Sequence, residues 1–81
     1  MKELHLSIVS PERVIYDGKV SRVTLPGTIG SFTILPEHAP IVSSLQAGRL
    51  SYVIGHGEEN ALDIQGGFVE LSDGIVSVCI S

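Results

Sequence analysis

The sequence of 81 residues predicts an all-β fold, an antiparallel β-sandwich or barrel. Apolar residues alternate with polar ones at a period of two, and turn residues separate these runs at short intervals. No segment longer than about one turn has helical periodicity. We count about eight to ten short runs of this kind, which is the pattern typical of sandwiches and barrels.

The first third of the chain predicts three short strands. The run 4–9 (LHLSIV) places its aliphatic residues on one face, and a turn is expected at 10–12 (SPE). A second strand, 13–17, is followed by Asp17-Gly18, a dipeptide that favours a tight hairpin. A third strand follows at 19–25, where one break in the alternation indicates a bulge.

The last half of the chain continues the same pattern. Strand-like residues begin at 41, and Ala47-Gly48 predicts a turn among them. A polar loop is expected at 56–60 (HGEEN), a further break at 65–67 (QGG), and a hairpin turn at 72–74 (SDG). The run IVSVCI then ends the sequence as a last strand.

Composition and charge exclude several classes of protein. The net charge is −4 and the five basic residues form no cluster, which argues against nucleic-acid binding. Hydrophobic residues make up 43%, enough for the core of one small domain, and no apolar run approaches the roughly 20 residues of a membrane helix. The N-terminus alternates where a signal peptide is continuously apolar, so a soluble intracellular protein is expected. The single cysteine, Cys79, is predicted to be a small buried hydrophobe.

No motif indicates catalysis or a metal. His5, His38 and His56 lack the closely spaced partners that metal ligands usually have, and His56 is predicted to lie solvated in a loop with Glu58-Glu59. The glycines 27 and 30 lead into a strand, so no helix N-terminus follows to hold a phosphate. No G-x-S-x-G motif is present, although a Ser-His-Asp arrangement stays open. We therefore expect no catalytic residue, no cofactor and no small-molecule substrate.

The stretch 25–40 (LPGTIGSFTILPEHAP) admits two interpretations. Pro26-Gly27 is a turn dipeptide and 32–34 alternates like a strand, so the stretch could be a corner of the sandwich. Ile29, however, is predicted to lie at a water-exposed tip, and 36–40 forms a stiff connection with little entropy to lose on docking. The residues by themselves are compatible with both interpretations, a corner of the sandwich and a docking surface.

A longer pattern of residues resembles a known family. LPG-x-x-G-x-F-x-x-LP-x-HAP is preceded by IVSPERVIYDGKVSRVT and followed by QAGRL and QGGFVELSDGIVSV. Together these are similar to the N-terminal β-sandwich domain of the epsilon subunit of F-type ATP synthases. The resemblance implies one such domain over 1–81, a flattened sandwich of two sheets of about five strands each. Longer members continue into a helical hairpin that inhibits ATP hydrolysis, and we expect this C-terminal helical domain to be absent here.

The resemblance also implies a role and two contact surfaces. Epsilon is a non-catalytic rotor subunit of the central stalk, which couples the catalytic head to the ion-translocating ring of c subunits. It is peripheral to the cytoplasmic face of the inner membrane. The implied gamma-facing residues are Ser10, His38, Ala39, Pro40 and Ser43. The implied ring-facing residues are Gly27, Thr28, Ile29, Gly30, Ser31 and Phe32. Many members carry glutamate at one or both of the positions of Ile29 and Ser31, so this ring contact would depend on apolar and backbone contacts instead.

Two alternatives belong to other classes of protein. A free-standing sugar-binding module would expose aromatic side chains for stacking, and the sequence offers only Tyr16, Phe32, Tyr52 and Phe68. A small hydrolase would need a pocket that a domain of this size hardly supplies.

Overall fold

The computed structural model describes residues 3–55 and 57–81, and it places most of them in strands. No helix that could span a membrane occurs among these residues. The strands are β1 (Leu4–Val9), β2 (Val14–Val20), β3 (Arg22–Gly27), β4 (Gly30–Ile34), β5 (Ile41–Ile54), β6 (Glu58–Ser72) and β7 (Ile75–Ile80). The prediction of an all-β fold is confirmed.

The seven strands form one hydrogen-bonded sheet in the order β2-β1-β7-β6-β5-β3-β4. All neighbours are antiparallel except β1 and β7, which pair in parallel from His5 opposite Ile75 to Val9 opposite Cys79. The sequence-based expectation of a purely antiparallel sheet is therefore wrong for this pair. The first and last strands lie side by side, and alternation within a strand carries no information about the direction of its neighbour.

The two long strands turn this single sheet into two layers. The first half of β5 pairs with the second half of β6, which also pairs with β7. The second half of β5 pairs instead with the first half of β6 and with β3. If each half of β5 and of β6 is counted as one strand segment, one layer has five segments and the other has four. The sandwich of roughly five strands per layer is confirmed in this sense, although two strands are shared.

A single apolar core lies between the layers. It joins side chains from opposite ends of the sheet, such as Leu6 of β1 and Leu25 of β3, both fully buried. The aliphatic residues of β1 point inward at every second position, as the sequence predicts. Among the described residues no polar or charged side chain is buried, so apolar burial of about 1.5–3 kcal/mol per large side chain holds the layers together.

Two predicted turns are bends inside the long strands. Ala47-Gly48 lies within β5 and 65–67 within β6, where the ladder continues on both sides. At Gly67 the φ angle is 144°, and a Cβ would lie 2.0 Å from the carbonyl oxygen of Cys79. Glycine at this position lets β7 approach β6 closely at the bend. Gly67, which predicted a break, therefore allows β6 to continue.

The hairpin predicted at Asp17-Gly18 is also wrong. Both residues stay in β2 and pair with β1, Asp17 opposite Ser7 and Gly18 opposite Leu6. The hydroxyl of Tyr16 donates to the carbonyl of Lys19 at 3.0 Å, which lays its ring over Gly18. The chain leaves β2 at Ser21, near the predicted bulge.

Other predicted features have mixed outcomes. The turns at 10–12 and 72–74 are confirmed. Glu58 and Glu59 are exposed but begin β6 rather than lie in a loop, and His56 falls outside the described residues. Cys79 is only half-buried, because it lies on the outer side of β7 across from Phe68, so its predicted burial in the core is wrong.

Candidate functional site

The β3–β4 hairpin projects from one end of the sandwich. Gly27 pairs with Gly30, which leaves Thr28 and Ile29 as the connection. The Ile29 side chain is fully exposed, at 102% of its reference area, as the sequence predicts. The N–H of Thr28 donates to the carbonyl of Ser44 at 3.2 Å, so the hairpin is held against the first part of β5.

The connection from β4 to β5 brings His38 beside this hairpin. The N–H of His38 donates to the carbonyl of Leu35 at 3.1 Å, with Pro36 as the first central residue of the turn. Glu37 has a φ of 71°, and such a positive angle at the second central residue is typical of a type II turn. The His38 Nδ1 lies 2.7 Å from the carbonyl oxygen of Ala39. Because a carbonyl only accepts, Nδ1 is the protonated nitrogen.

A shallow groove of about 480 Å³ lies between the hairpin and the start of β5. Its lining residues are Gly27, Ile29, Gly30, Ser31, Phe32, His38, Ile41, Val42 and Ser43. Five of the six predicted ring-facing residues therefore meet two of the predicted gamma-facing residues in one groove. The resemblance implied that the ring-facing set and the gamma-facing residues 38–40 lie at opposite ends of the stretch 25–40.

Four predicted residues do not line the groove. Thr28 faces solvent at the hairpin tip, and Ala39 and Pro40 are exposed in the connection that follows His38. Ser10 lies in the β1–β2 turn, where its N–H donates to the carbonyl of Arg13 at 2.9 Å.

The groove is suited to binding an uncharged segment. Apart from His38, its lining side chains carry no ionisable group. Phe32 and Ile41 are half-buried and pack against the core, while Val42 is 76% exposed. Such a surface offers apolar area on a rigid support.

The other histidine that the structure describes, His5, lies elsewhere. Its Nε2 is 2.5 Å from Oδ1 of Asp17 across the β1–β2 ladder, where both side chains are exposed. Within residues 3–55 and 57–81, no three His, Cys, Asp or Glu side chains come together as metal ligands would.

The aromatic residues are mostly engaged with the core. The rings of Tyr16 and Tyr52 pack at a centroid distance of 4.6 Å, and Phe68 is 49% exposed. Partial burial raises the pKa of Tyr52 above its ordinary value, and the nearby Tyr16 and Glu58 add to the shift. A sugar-binding module would need a platform of such rings facing water. Among the described residues Phe68 is the one exposed ring, while Tyr16, Phe32 and Tyr52 are partly buried against the core.

Ile41 and Val42 are groove residues that the sequence analysis missed. The signal was the pair of adjacent apolar residues at the start of β5, since only one of two neighbours can face the core. Val42 faces outward, because Leu45 faces the core and residues three positions apart on a strand lie on opposite faces. Its partner on β6, the exposed Glu70, lies on the same outer face.

Comparison with known sequences identifies the fold family. Residues 3–81 match the family described as ATP synthase, Delta/Epsilon chain, beta-sandwich domain. The chain belongs to this family. The predicted resemblance is thereby confirmed for the β-sandwich domain.

Similar proteins carry consistent names. The chain is 41% identical over 76 residues to an ATP synthase epsilon chain of Leptospira borgpetersenii, covering 94% of this chain and 59% of that one. It is 46% identical over 77 residues to an ATP synthase epsilon chain of Nitratidesulfovibrio vulgaris, covering 95% and 57%. The chain thus spans less than two thirds of the length of these relatives.

Solved structures share the fold. A chain in the mitochondrial ATP synthase of Euglena gracilis, in an assembly of OSCP, F1 and c-ring, superimposes with a TM-score of 0.91 at 24% identity. This match covers 96% of our chain and 50% of that chain. A chain in the central stalk and c-ring of the Tetrahymena thermophila mitochondrial ATP synthase gives 0.79 at 16% identity, covering 98% and 63%.

Proposed function

We propose that this domain is the β-sandwich part of an epsilon chain in an F-type ATP synthase. It acts as a non-catalytic rotor component that joins the gamma subunit to the ring of c subunits. The observation that carries the proposal is the groove beside the β3–β4 hairpin, because it gathers residues of both implied contact sets on one uncharged surface.

The hairpin tip is the proposed contact with the c ring. Ile29 is fully exposed on a turn held to β5 through Thr28, so it can dock without a change in the backbone. Gly27, Thr28, Gly30, Ser31 and Phe32 provide the rest of this contact, with no charge among them.

The opposite wall of the groove is the proposed contact with gamma. His38 and Ser43 line it, and Ala39 and Pro40 extend it along the exposed connection. Ser10 stays part of the proposed contact from a separate turn.

The proposed role is mechanical. Bending a sandwich whose layers share two long strands would break many backbone hydrogen bonds together, so the domain can transmit torque. A durable interface buries about 800 Å² per partner. The accessible surface of 4952 Å² leaves room for both contacts. The domain would work at the cytoplasmic face of the inner membrane, peripheral to it.

Binding to purified gamma tests this proposal. We expect the chain to co-purify with gamma, and the double substitution His38→Glu with Ser43→Glu to abolish binding, since it would bring two like charges without partners into the interface. The matched control is Ala61→Glu with Gln65→Glu, at exposed positions of β6 outside the groove. Thermal unfolding of each variant shows whether the fold is retained. Normal gamma binding by the folded groove variant would overturn the proposed gamma surface.

A further inference from the structure

The first residues of β5 have an open edge inside the groove. On one side they pair with β6, from Ile41 opposite Leu71 to Ser44 opposite Phe68. On the other side β3 reaches only as far as Leu45. Beyond that point, a single bond from the hairpin, Thr28 N–H to Ser44 C=O, lies along this edge.

The main-chain groups on this edge can be assigned from strand geometry. In a strand the N–H and C=O of one residue point to one side, and those of its neighbours point to the other. The C=O of Ser44 faces the hairpin, so the N–H and C=O of Val42 face the same side, away from β6. No described residue pairs with Val42 on that side.

This edge lacks the usual protection against strand addition. The outer strand β2 carries Asp17 and Lys19, both exposed, and such charges discourage pairing with other chains. On β5 the edge presents the exposed Val42 between Ile41 and Ser43, with no charge among them. An uncharged edge next to an apolar groove has the features of a site for β-strand addition.

We propose that an extended segment of the gamma subunit adds to this edge of β5. Its main chain pairs with the N–H and C=O of Val42, and an apolar side chain fills the groove against Phe32 and Ile41. The inference rests on the proposed function, which places gamma on the same wall through Ser43. The segment must be uncharged, because a charge in this groove would lose water without gaining a partner. It must also lack proline at the paired position, because its N–H is needed.

The substitution Val42→Pro tests the main-chain bond. It removes the N–H that faces the groove and leaves the ladder with β6 intact, because Val42 does not use that group to pair with β6. Proline is tolerated in strands at such open positions. Val42→Ala is the matched control, since it removes the side chain but keeps the N–H. Thermal unfolding establishes that both variants fold.

We expect Val42→Pro to weaken gamma binding at least about tenfold relative to Val42→Ala, as the loss of a well-formed hydrogen bond at an interface predicts. We also expect the Val42 amide of the unaltered chain to exchange hydrogen more slowly in the gamma complex. This second measurement decides the matter if the proline variant does not fold.

Other outcomes separate this inference from the proposed function. Equal gamma binding by the folded proline and alanine variants would overturn strand addition while leaving the gamma contact in place. Strand addition would also be overturned if the Val42 amide stayed unprotected in the gamma complex. It would be overturned as well if Val42→Pro weakened binding of the c ring but not of gamma. Failure of the unaltered chain to bind gamma would overturn both proposals.

Discussion

The turns of the β6–β7 and β3–β4 hairpins differ in the residues that form them. Each connects its strands with two residues, Asp73-Gly74 in the first and Thr28-Ile29 in the second. Asp73 and Gly74 have φ angles of 52° and 75°, which polar residues and glycine adopt at low cost. The second turn instead presents an isoleucine to solvent.

This difference indicates that the β6–β7 turn contributes to folding and that the β3–β4 turn is available for binding. The β6–β7 turn satisfies the local geometry that a hairpin requires, and its residues do not line the groove. Ile29 contributes nothing to the core, and its exposed apolar surface fits the proposed contact with a partner. Substitutions in the first turn should change stability, and those in the second should change binding.

The largest effect is expected from Gly74→Val in the β6–β7 turn. A β-branched residue at a φ of 75° is strained, and we expect the free energy of unfolding to fall by about 1–3 kcal/mol. Beyond the adjacent residues no atom lies within 4 Å of the Cβ position, so the cost comes from the local backbone conformation and not from a contact elsewhere in the fold. Urea unfolding measures it, with Asp73→Asn as a control that should change stability by less than about 0.5 kcal/mol. An unchanged midpoint for the valine variant would contradict this account of the turn.

A smaller effect, on binding alone, is expected from Ile29→Ser in the β3–β4 turn. The free energy of unfolding should stay within about 0.5 kcal/mol, since the side chain is already in water. Binding to a purified c ring should weaken at least about tenfold, because a buried aliphatic side chain contributes more than 1.4 kcal/mol. Ala61→Ser is the control, because Ala61 is exposed on β6 and does not line the groove. Undiminished ring binding by the Ile29 variant would remove the proposed contact.

The smallest effect is expected on the pH dependence of stability, through Tyr52 of β5, the strand that pairs with β3. Tyr52 of β5 pairs with Val23 of β3, and its burial raises its pKa. Folding therefore favours the neutral phenol. This stabilisation is present below the unfolded pKa of about 10 and is lost as pH rises through the higher folded value.

We expect stability to fall with increasing pH above about 10 in the unaltered chain, and less steeply in Tyr52→Phe. Urea unfolding at a series of alkaline pH values measures both slopes. Identical slopes would show that Tyr52 does not contribute. Asp73→Asn in the β6–β7 turn should keep the slope of the unaltered chain.

Local patterns predicted some elements correctly and others not. The inward face of β1 and the Asp73-Gly74 turn were predicted, because each depends only on residues adjacent in sequence. Asp17-Gly18 has the same turn-forming composition but stays extended, since pairing with β1 and the ring of Tyr16 outweigh the local preference. Gly67 likewise predicted a break, whereas the close approach of β7 uses it inside a strand.

The sequence by itself determined the all-β fold and the inward face of β1, because alternation is a local property, and its motifs carried the resemblance to the family. It also predicted that Ile29 would be exposed. Only the tertiary structure decided that β1 and β7 run parallel, that β5 and β6 serve both layers, and that His38 and Ser43 share a groove with the hairpin. These features depend on which distant segments become neighbours, and that choice is made by the burial of the whole core.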